Sequence, residues 1–230
     1  MIRLDEVAKR YRHKNRDVVA LAPTTLEIAA GEFVAVVGPS GSGKTTLLST
    51  LGGMLAPTSG KVWLDGRSIY DATAQERAEI RQRRIGFVFQ TFNLIPYLTA
   101  LENVEVPLML AGSNSLEHQH RVAALLARVG LEGRFDHKPS ELSVGQQQRV
   151  ALARTLANDP AVILADEPTG NLDPATREQV LEFFEELCRE GRTVIMVTHD
   201  PIAAARAKRT FKLADGAVVA DSGFRTQRVA

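Results

Sequence analysis

Four short apolar runs recur along the chain: Phe33–Val37, Ile85–Phe89, Ala161–Ala165 and Thr193–Val197. A strand with one wet face alternates polar and apolar side chains. These β-branched runs do not alternate, so they predict strands covered on both faces, as in a parallel α/β sheet. Asp65-Gly66 and Asp215-Gly216 each sit between apolar runs and predict hairpin turns. Antiparallel ribbons are therefore expected early in the chain and near its end.

Helical spacing marks two further segments. Asp173 can cap a helix and Pro174 can take its first position; Val180, Phe183, Phe184, Leu187 and Cys188 then line one face, and Gly191 ends it. A second helix is predicted from about Leu116 to Val129, with Val122, Leu125, Leu126 and Val129 on one side and Gly130 as its stop. Between Thr91 and about Ala157 the pattern is mostly helical and poor in strands. The expected organisation is one domain over residues 1–230. Its α/β core and antiparallel β subdomain take 1–90 and 158–230, with a helical subdomain inserted at 91–157.

Composition narrows the function classes. The chain has 230 residues, 44% hydrophobic and 24% charged, enough for a real core. A net charge of +1 gives no global field toward nucleic acid or acidic lipid. The run Glu76–Arg84 alternates acids and bases and reads as a solvated helix face rather than a nucleic-acid patch. The single cysteine, Cys188, excludes an internal disulfide and a cysteine zinc cluster, and reads as a small core residue. The segment Met1–Glu6 is charged at once, without the apolar region of a signal peptide. The longest uncharged stretch, Ile85–Leu101, contains Gly, Gln, Asn, Thr and Pro and falls short of a span of ~20 apolar residues. Any membrane role is expected to come through a partner. No function is assigned to the tail Phe224–Ala230.

The candidate chemistry begins after the first run. Gly38-Pro39-Ser40-Gly41-Ser42-Gly43-Lys44-Thr45 fills the pattern G-x-x-x-x-G-K-[ST] between an apolar strand and Thr46-Leu47-Leu48, which suits a helix. Glycines let the backbone curl so that successive N–H groups face phosphate oxygens, and the helix adds its positive end. Lys44 supplies a cation for the β- and γ-phosphates and Thr45 a hydroxyl for magnesium. The bland alternative is a Gly/Ser turn with an incidental lysine.

A second apolar run ends in two acids, Asp166 and Glu167. Strand geometry would turn them in different directions. Asp166 can then join a magnesium shell, while Glu167 can polarise a water facing the γ-phosphate. Alternatively, they are solvated acids at a strand end. Gln90 and His199 close two other runs, at the carboxyl ends where ligands gather in open parallel sheets; either taken alone reads as an ordinary loop residue. Ser143 is a candidate N-cap, and Gly145 opens the backbone of a second helix start in Leu142-Ser143-Val144-Gly145-Gln146.

Together these segments resemble the ATP-binding cassette (ABC) ATPases over nearly the whole chain. Walker A matches Gly38–Thr45, and Walker B matches Val162–Asp166 with Glu167 behind it. The signature matches Leu142–Gln146, with Val144 where glycine is usual. Gln90 matches the Q-loop, Asn171-Leu172-Asp173 the D-loop, His199 the switch histidine, and Tyr11 the aromatic that stacks on adenine. The resemblance implies a P-loop NTPase fold with a mostly parallel core sheet. It implies ATP and Mg²⁺ as ligands, with nucleotide contacts from Tyr11, Gly38–Thr45, Thr46, Ser143, Gly145, Gln146 and Asp173. Metal contacts would come from Thr45, Gln90 and Asp166, and catalysis from Glu167, His199 and Gln90. It also implies a head-to-tail homodimer with ATP between the Walker A of one copy and the signature of the other.

Asn93–Val104 and Ala165–Asp173 resemble more narrowly the MacB/LolD/FtsE group, which serves export, lipoprotein release or mechanotransmission through FtsX-like permeases. That implies a cytoplasmic protein, peripheral on the inner face of the membrane through its permease. The apolar segment Phe92–Leu98 either lines a groove for a permease helix or is buried within the helical subdomain. A soluble ABC-type ATPase acting on DNA or ribosomes is the alternative. Such relatives usually carry coiled-coil insertions, zinc-binding cysteines or paired cassettes, none of which is in this sequence. A kinase or GTPase on the same loop would leave the signature and His199 unexplained, and no Asn-Lys-x-Asp is present for guanine.

Overall fold

Alternate side chains of the apolar runs point to opposite faces of one sheet, and both faces are covered. The computed structural model describes residues 1–13, 16–112 and 115–223; the tail 224–230 lies outside them. Strands β1 (Ile2–His13), β2 (Arg16–Ile28) and β3 (Phe33–Val37) lead into helix α1 (Lys44–Leu51). Strands β4 (Ser59–Leu64) and β5 (Arg67–Ser68), helix α2 (Ala74–Arg84) and strand β6 (Ile85–Phe89) follow. Helices α3 (Ala100–Leu110), α4 (Ser115–Arg128) and α5 (Val144–Leu156) then precede β7 (Val162–Asp166). The chain continues through α6 (Pro174–Arg189), β8 (Thr193–Val197), α7 (Pro201–Ala205), β9 (Arg209–Ala214) and β10 (Ala217–Asp221).

The larger sheet has the order β10-β9-β3-β8-β7-β6, parallel throughout except for β10, which returns antiparallel on β9. Phe33, Ile163, Ala165, Val194 and Met196 face one core, shared with Val104 of α3, Leu126 of α4, Val150 of α5 and Phe184 of α6. Phe33 meets Phe184 edge-on at 6.3 Å between ring centroids. Val34, Val36, Leu164, Ile195 and Val197 face the other core, filled by Leu47, Leu48 and Leu51 of α1 and by Leu4, Leu21 and Val62 of the smaller sheet. Each fully buried Val, Leu, Ile, Phe or Met side chain among these contributes about 1.5–3 kcal/mol relative to exposure. The unbroken runs are thus explained by double coverage, as expected.

The smaller sheet, order β2-β1-β4-β5, is antiparallel. Its two long strands have no simple alternation to announce them. Register shifts interrupt β1 between Leu4 and Val7, where Glu6 takes φ +49°. That bulge moves the buried set from Ile2 and Leu4 to Val7 and Ala8, so the period of two breaks. Both Asp-Gly pairs form the anticipated hairpin turns, with φ +49° and +81° at Asp65 and Gly66 and +47° and +78° at Asp215 and Gly216.

The two helices read from periodicity form α4 and α6, the latter capped by Asp173 with Pro174 first. Helix α2 buries none of its residues, in keeping with its alternating charges. The helices between β6 and β7 contribute Val104, Leu126 and Val150 to the same apolar cluster as that sheet face. No described helix is long and apolar enough to cross a membrane.

Candidate active site

The turn Gly38–Gly43 joins β3 to α1 at the carboxyl edge of the sheet, and Gly43 caps the helix in the left-handed region at φ +98°. Close approach makes glycine necessary at two points. A Cβ on Gly38 would stand 2.2 Å from the Leu213 carbonyl oxygen, and one on Gly43 2.3 Å from that of Ala20. The turn is therefore pressed between β9 and β2, while Pro39, Ser40 and Gly41 remain exposed. Lys44 folds back over it, its Nζ donating to the carbonyls of Gly38 at 2.8 Å and Pro39 at 2.9 Å. Ser42 is buried, and its Oγ has no hydrogen-bond partner among the described residues. Thr46 lies in the first turn of α1, where its carbonyl accepts the Thr50 hydroxyl at 2.7 Å.

The carboxyl end of β7 stands beside this turn. Thr45 Oγ1 donates to Asp166 Oδ2 at 3.2 Å. Burial, and then the neighbouring Glu167 charge, lift the Asp166 pKa above the ordinary carboxylate value, against the opposing Thr45 hydrogen bond and the Lys44 ammonium. A hydroxyl and a carboxylate side by side offer the hard oxygen donors that magnesium takes. The residues present therefore fit a magnesium-bound triphosphate. Lys44 and the orphaned Ser42 hydroxyl would serve the phosphates, and Thr45 with Asp166 the cation.

Glu167 is the first residue past β7, and its backbone turns left-handed at φ +48°. This turn, rather than strand alternation alone, separates its carboxylate from that of Asp166. Its N–H donates to the Val197 carbonyl at 2.9 Å, which pins it to the end of β8. The Glu167 carboxylate receives two donors from residue 199. His199 Nδ1 stands 2.9 Å from Oε1, and the His199 N–H donates to Oε2 at 3.3 Å. A carboxylate only accepts, so this contact is a hydrogen bond in the tautomer that carries its proton on Nδ1. The His199 side chain is 72% exposed and that of Glu167 16%, so the imidazole stands at the surface over a sheltered acid. With Thr169, Arg177 and Asp200, the two line a cleft of about 320 Å³.

Gln90 lies exposed just past β6; its carbonyl accepts the Asn171 amide at 3.1 Å, and its Nε2 would stand 3.2 Å from a Cβ on Gly170. It thus adjoins the turn after Glu167. Tyr11 is 43% exposed on β1 and pairs across to Val18, itself 52% exposed on β2. The Lys9 ammonium lies 5.3 Å from the Tyr11 ring centroid. Val18 lies on the same strand as Ala20, whose carbonyl meets the turn at Gly43.

The remaining candidates make their contacts elsewhere. Ser143 caps α5, accepting the Gln146 N–H at 3.3 Å, while the Ser143 N–H donates to Gln146 Oε1 at 2.9 Å. Val144 beside them is 49% exposed. Asp173 caps α6, accepting the N–H groups of Ala175 and Thr176 and the Thr176 hydroxyl. Those hydrogen bonds hold its carboxyl pKa below the usual value. Sequence reasoning also missed Arg177, whose partner Asp200 lies far along the chain.

Comparison with known proteins follows the same lines. The family described as ABC transporter matches residues 21–170. The chain is 49% identical over 226 residues to the macrolide export ATP-binding/permease protein MacB of Syntrophobacter fumaroxidans, covering 97% of this chain and 32% of that protein. It is 48% identical over 221 residues to YvrO of Bacillus subtilis, an uncharacterized ABC transporter ATP-binding protein, covering 96% of each. Among solved structures, the dimeric post-hydrolysis state of the ATP-binding cassette MJ0796 with ADP and Pi superposes with a TM-score of 0.90 at 45% identity, over 96% of this chain and 97% of that one. The chain spans about a third of the length of the MacB relatives it matches. With a phosphate-loop turn, a paired aspartate and threonine, and a histidine-held glutamate on one sheet edge, this chain belongs to the ABC transporter family.

Proposed function

We propose that two copies of this chain close head to tail on ATP and drive an FtsX-like permease from the inner face of the membrane. The observation that carries the reading is the division of the candidate residues into two groups. Lys44, Thr45, Asp166, Glu167 and His199 stand along one sheet edge. Ser143, Gly145 and Gln146 begin a separate helix, where Ser143 and Gln146 bond to each other beside an exposed Val144. The first group can cradle a triphosphate but leaves one side open; the second offers a helix N-terminus with no phosphate turn of its own. The second copy would bring that helix start to the open side. The cassette of known dimeric structure at 45% identity supports this arrangement.

The turn N–H groups, Ser42 and Lys44 bind the β- and γ-phosphates, and the Tyr11–Val18 pair takes the adenine. Thr45 and Asp166, together with Gln90, would hold Mg²⁺, which would neutralise charge on the phosphate oxygens. Glu167 would take the proton from the attacking water, and His199, held by Glu167 at Nδ1, would offer its other ring nitrogen to the γ-phosphate.

For the permease, a groove of about 850 Å³ between α2 and the Asn93, Pro107, Leu110 and Arg154 side offers a docking face. Of the apolar segment 92–98, Asn93 borders this groove while Leu94 packs on the core. Relatives named as ATP-binding/permease proteins support such a partner. The test is Glu167→Gln with Mg-ATP. It binds nucleotide, loses about 10² to 10⁴ in hydrolysis rate, and elutes as a dimer that reverts when ATP is removed. A variant that stays monomeric and turns over rapidly overturns the proposal.

A further inference from the structure

The support of His199 continues past Glu167. The Asp200 N–H donates to the Thr198 hydroxyl at 3.0 Å, and Asp200 Oδ1 accepts the Ile202 N–H at 2.8 Å to cap α7. The other oxygen, Oδ2, accepts from Arg177 Nη1 at 3.0 Å. Arg177 sits in the first turn of α6, next to Thr176, and its side chain keeps only 26% of its exposure against 21% for Asp200. Residue 199 is thus bounded by Thr198, completely buried, and by an aspartate bonded to a neighbouring helix.

The fold does not need this pair to hold α6 and α7 in place. Helix α6 is capped by Asp173 and fixed to the sheet by Val180, Leu181, Phe184 and Leu187. Helix α7 is tied to α6 a second time, by Arg206 with Glu178 and Glu185. The Thr198 N–H anchors the start of the corner at 198–200 on the Val36 carbonyl, and the Arg177–Asp200 bond is the side-chain tie that α6 adds to its far end. Both bonds to the Glu167 carboxylate start from that corner, one from the main chain of residue 199 and one from its ring.

We infer that Arg177 is a positioning residue for ATP hydrolysis, holding His199 against Glu167 through Asp200. Without the guanidinium, Asp200 still caps α7 but loses its lateral anchor, and the corner can swing. A displacement on the order of 1 Å at such a contact costs up to about 10²-fold in rate. Nucleotide binding is spared, because Arg177 and Asp200 bond to neither the phosphate turn nor Tyr11. The inference rests on the roles proposed above for Glu167 and His199; loss of hydrolysis in Glu167→Gln tests those roles separately.

The experiment is a double-mutant cycle on the full chain. Arg177→Gln should lower kcat about 10-fold and leave KM for ATP within about twofold. Arg177→Lys should recover most of the rate. In a His199→Ala background, Arg177→Gln should cost less than about twofold more, because the group it positions is gone. Asp200→Asn, which keeps an acceptor for the α7 cap, should behave as Arg177→Gln does and carries the cycle if that variant folds poorly. The nucleotide affinity of Glu167→Gln should be unchanged by adding Arg177→Gln. Equal losses with and without the His199 imidazole, or an unchanged kcat in Arg177→Gln, overturn the proposal.

Discussion

Gly145 packs directly on Thr176: a Cβ at residue 145 would lie 2.9 Å from Thr176 Cγ2 and 3.2 Å from its Oγ1. The start of α5 and the start of α6 are therefore in van der Waals contact through a glycine, beside the hydroxyl that Asp173 holds at 2.6 Å. From sequence, glycine at 145 opens the backbone of a helix start; in the fold its side also faces Thr176 of a neighbouring helix.

Gly145→Ala should accordingly cost stability as well as activity. Overpacking of this kind costs about 1–3 kcal/mol. Thr176→Ser deletes the methyl at the closer distance and should return part of that loss when combined with Gly145→Ala. Urea unfolding of the two single variants and the double measures the coupling; strictly additive values would mean that the contact is not the cause.

Asp166→Asn should stabilise the nucleotide-free protein near neutral pH while abolishing Mg²⁺-dependent hydrolysis. Burial raises the Asp166 pKa, so ionising it costs more in the folded than in the unfolded chain. Its contribution to stability is full below the unfolded value of 3.8 and is lost as pH rises through the folded pKa. The advantage of asparagine should thus be present above the folded pKa and shrink on acidification. Thermal melts from pH 7 downward check this, and a pH-independent difference would speak against it.

Tyr11→Ala should weaken ATP binding by about 1–2 kcal/mol, the scale of one base stacked on an aromatic ring. Tyr11→Trp should bind as the parent does. Equilibrium titration with a fluorescent nucleotide separates the two, and kcat at saturation should be little altered. Equal binding by all three chains would remove Tyr11 from the adenine site.

Arg154→Ala should loosen the segment after Gln90. Phe92 and Asn93 both take left-handed φ, +58° and +50°. The half-buried Arg154 donates to their carbonyls at 2.5 and 2.6 Å. Hydrogen bonds to a charged group contribute roughly 1.5–3 kcal/mol, and strained backbone persists only where its surroundings hold it. The expected result is faster amide exchange across 90–98, with β7 and β8 unchanged; global loss of protection would point to general unfolding instead.

Local chemistry fixed what was legible in the sequence. The runs at 33–37, 85–89 and 193–197 are strands with those limits, because short β-branched stretches have few other stable placements. The run read as 161–165 is a strand one residue later, 162–166, which brings Asp166 into the sheet edge. Asp173 and Pro174 open α6 as read, since capping and proline geometry depend on a handful of neighbouring atoms. Strands β1 and β2 were not readable, because the bulge at Glu6 shifts the buried parity and only cross-strand pairing restores it.

By itself the sequence determined the phosphate turn, the acids after β7, the strand-end histidine and glutamine, and the family they belong to, since each motif is a contiguous stretch whose geometry is local. Only the tertiary structure decided which of them meet. Thr45 finds Asp166 across 121 residues, Glu167 finds His199 across 32, and Arg177 finds Asp200 across 23. These meetings depend on strand order and helix packing, which are set by burial summed over the whole chain rather than by any one segment's spacing.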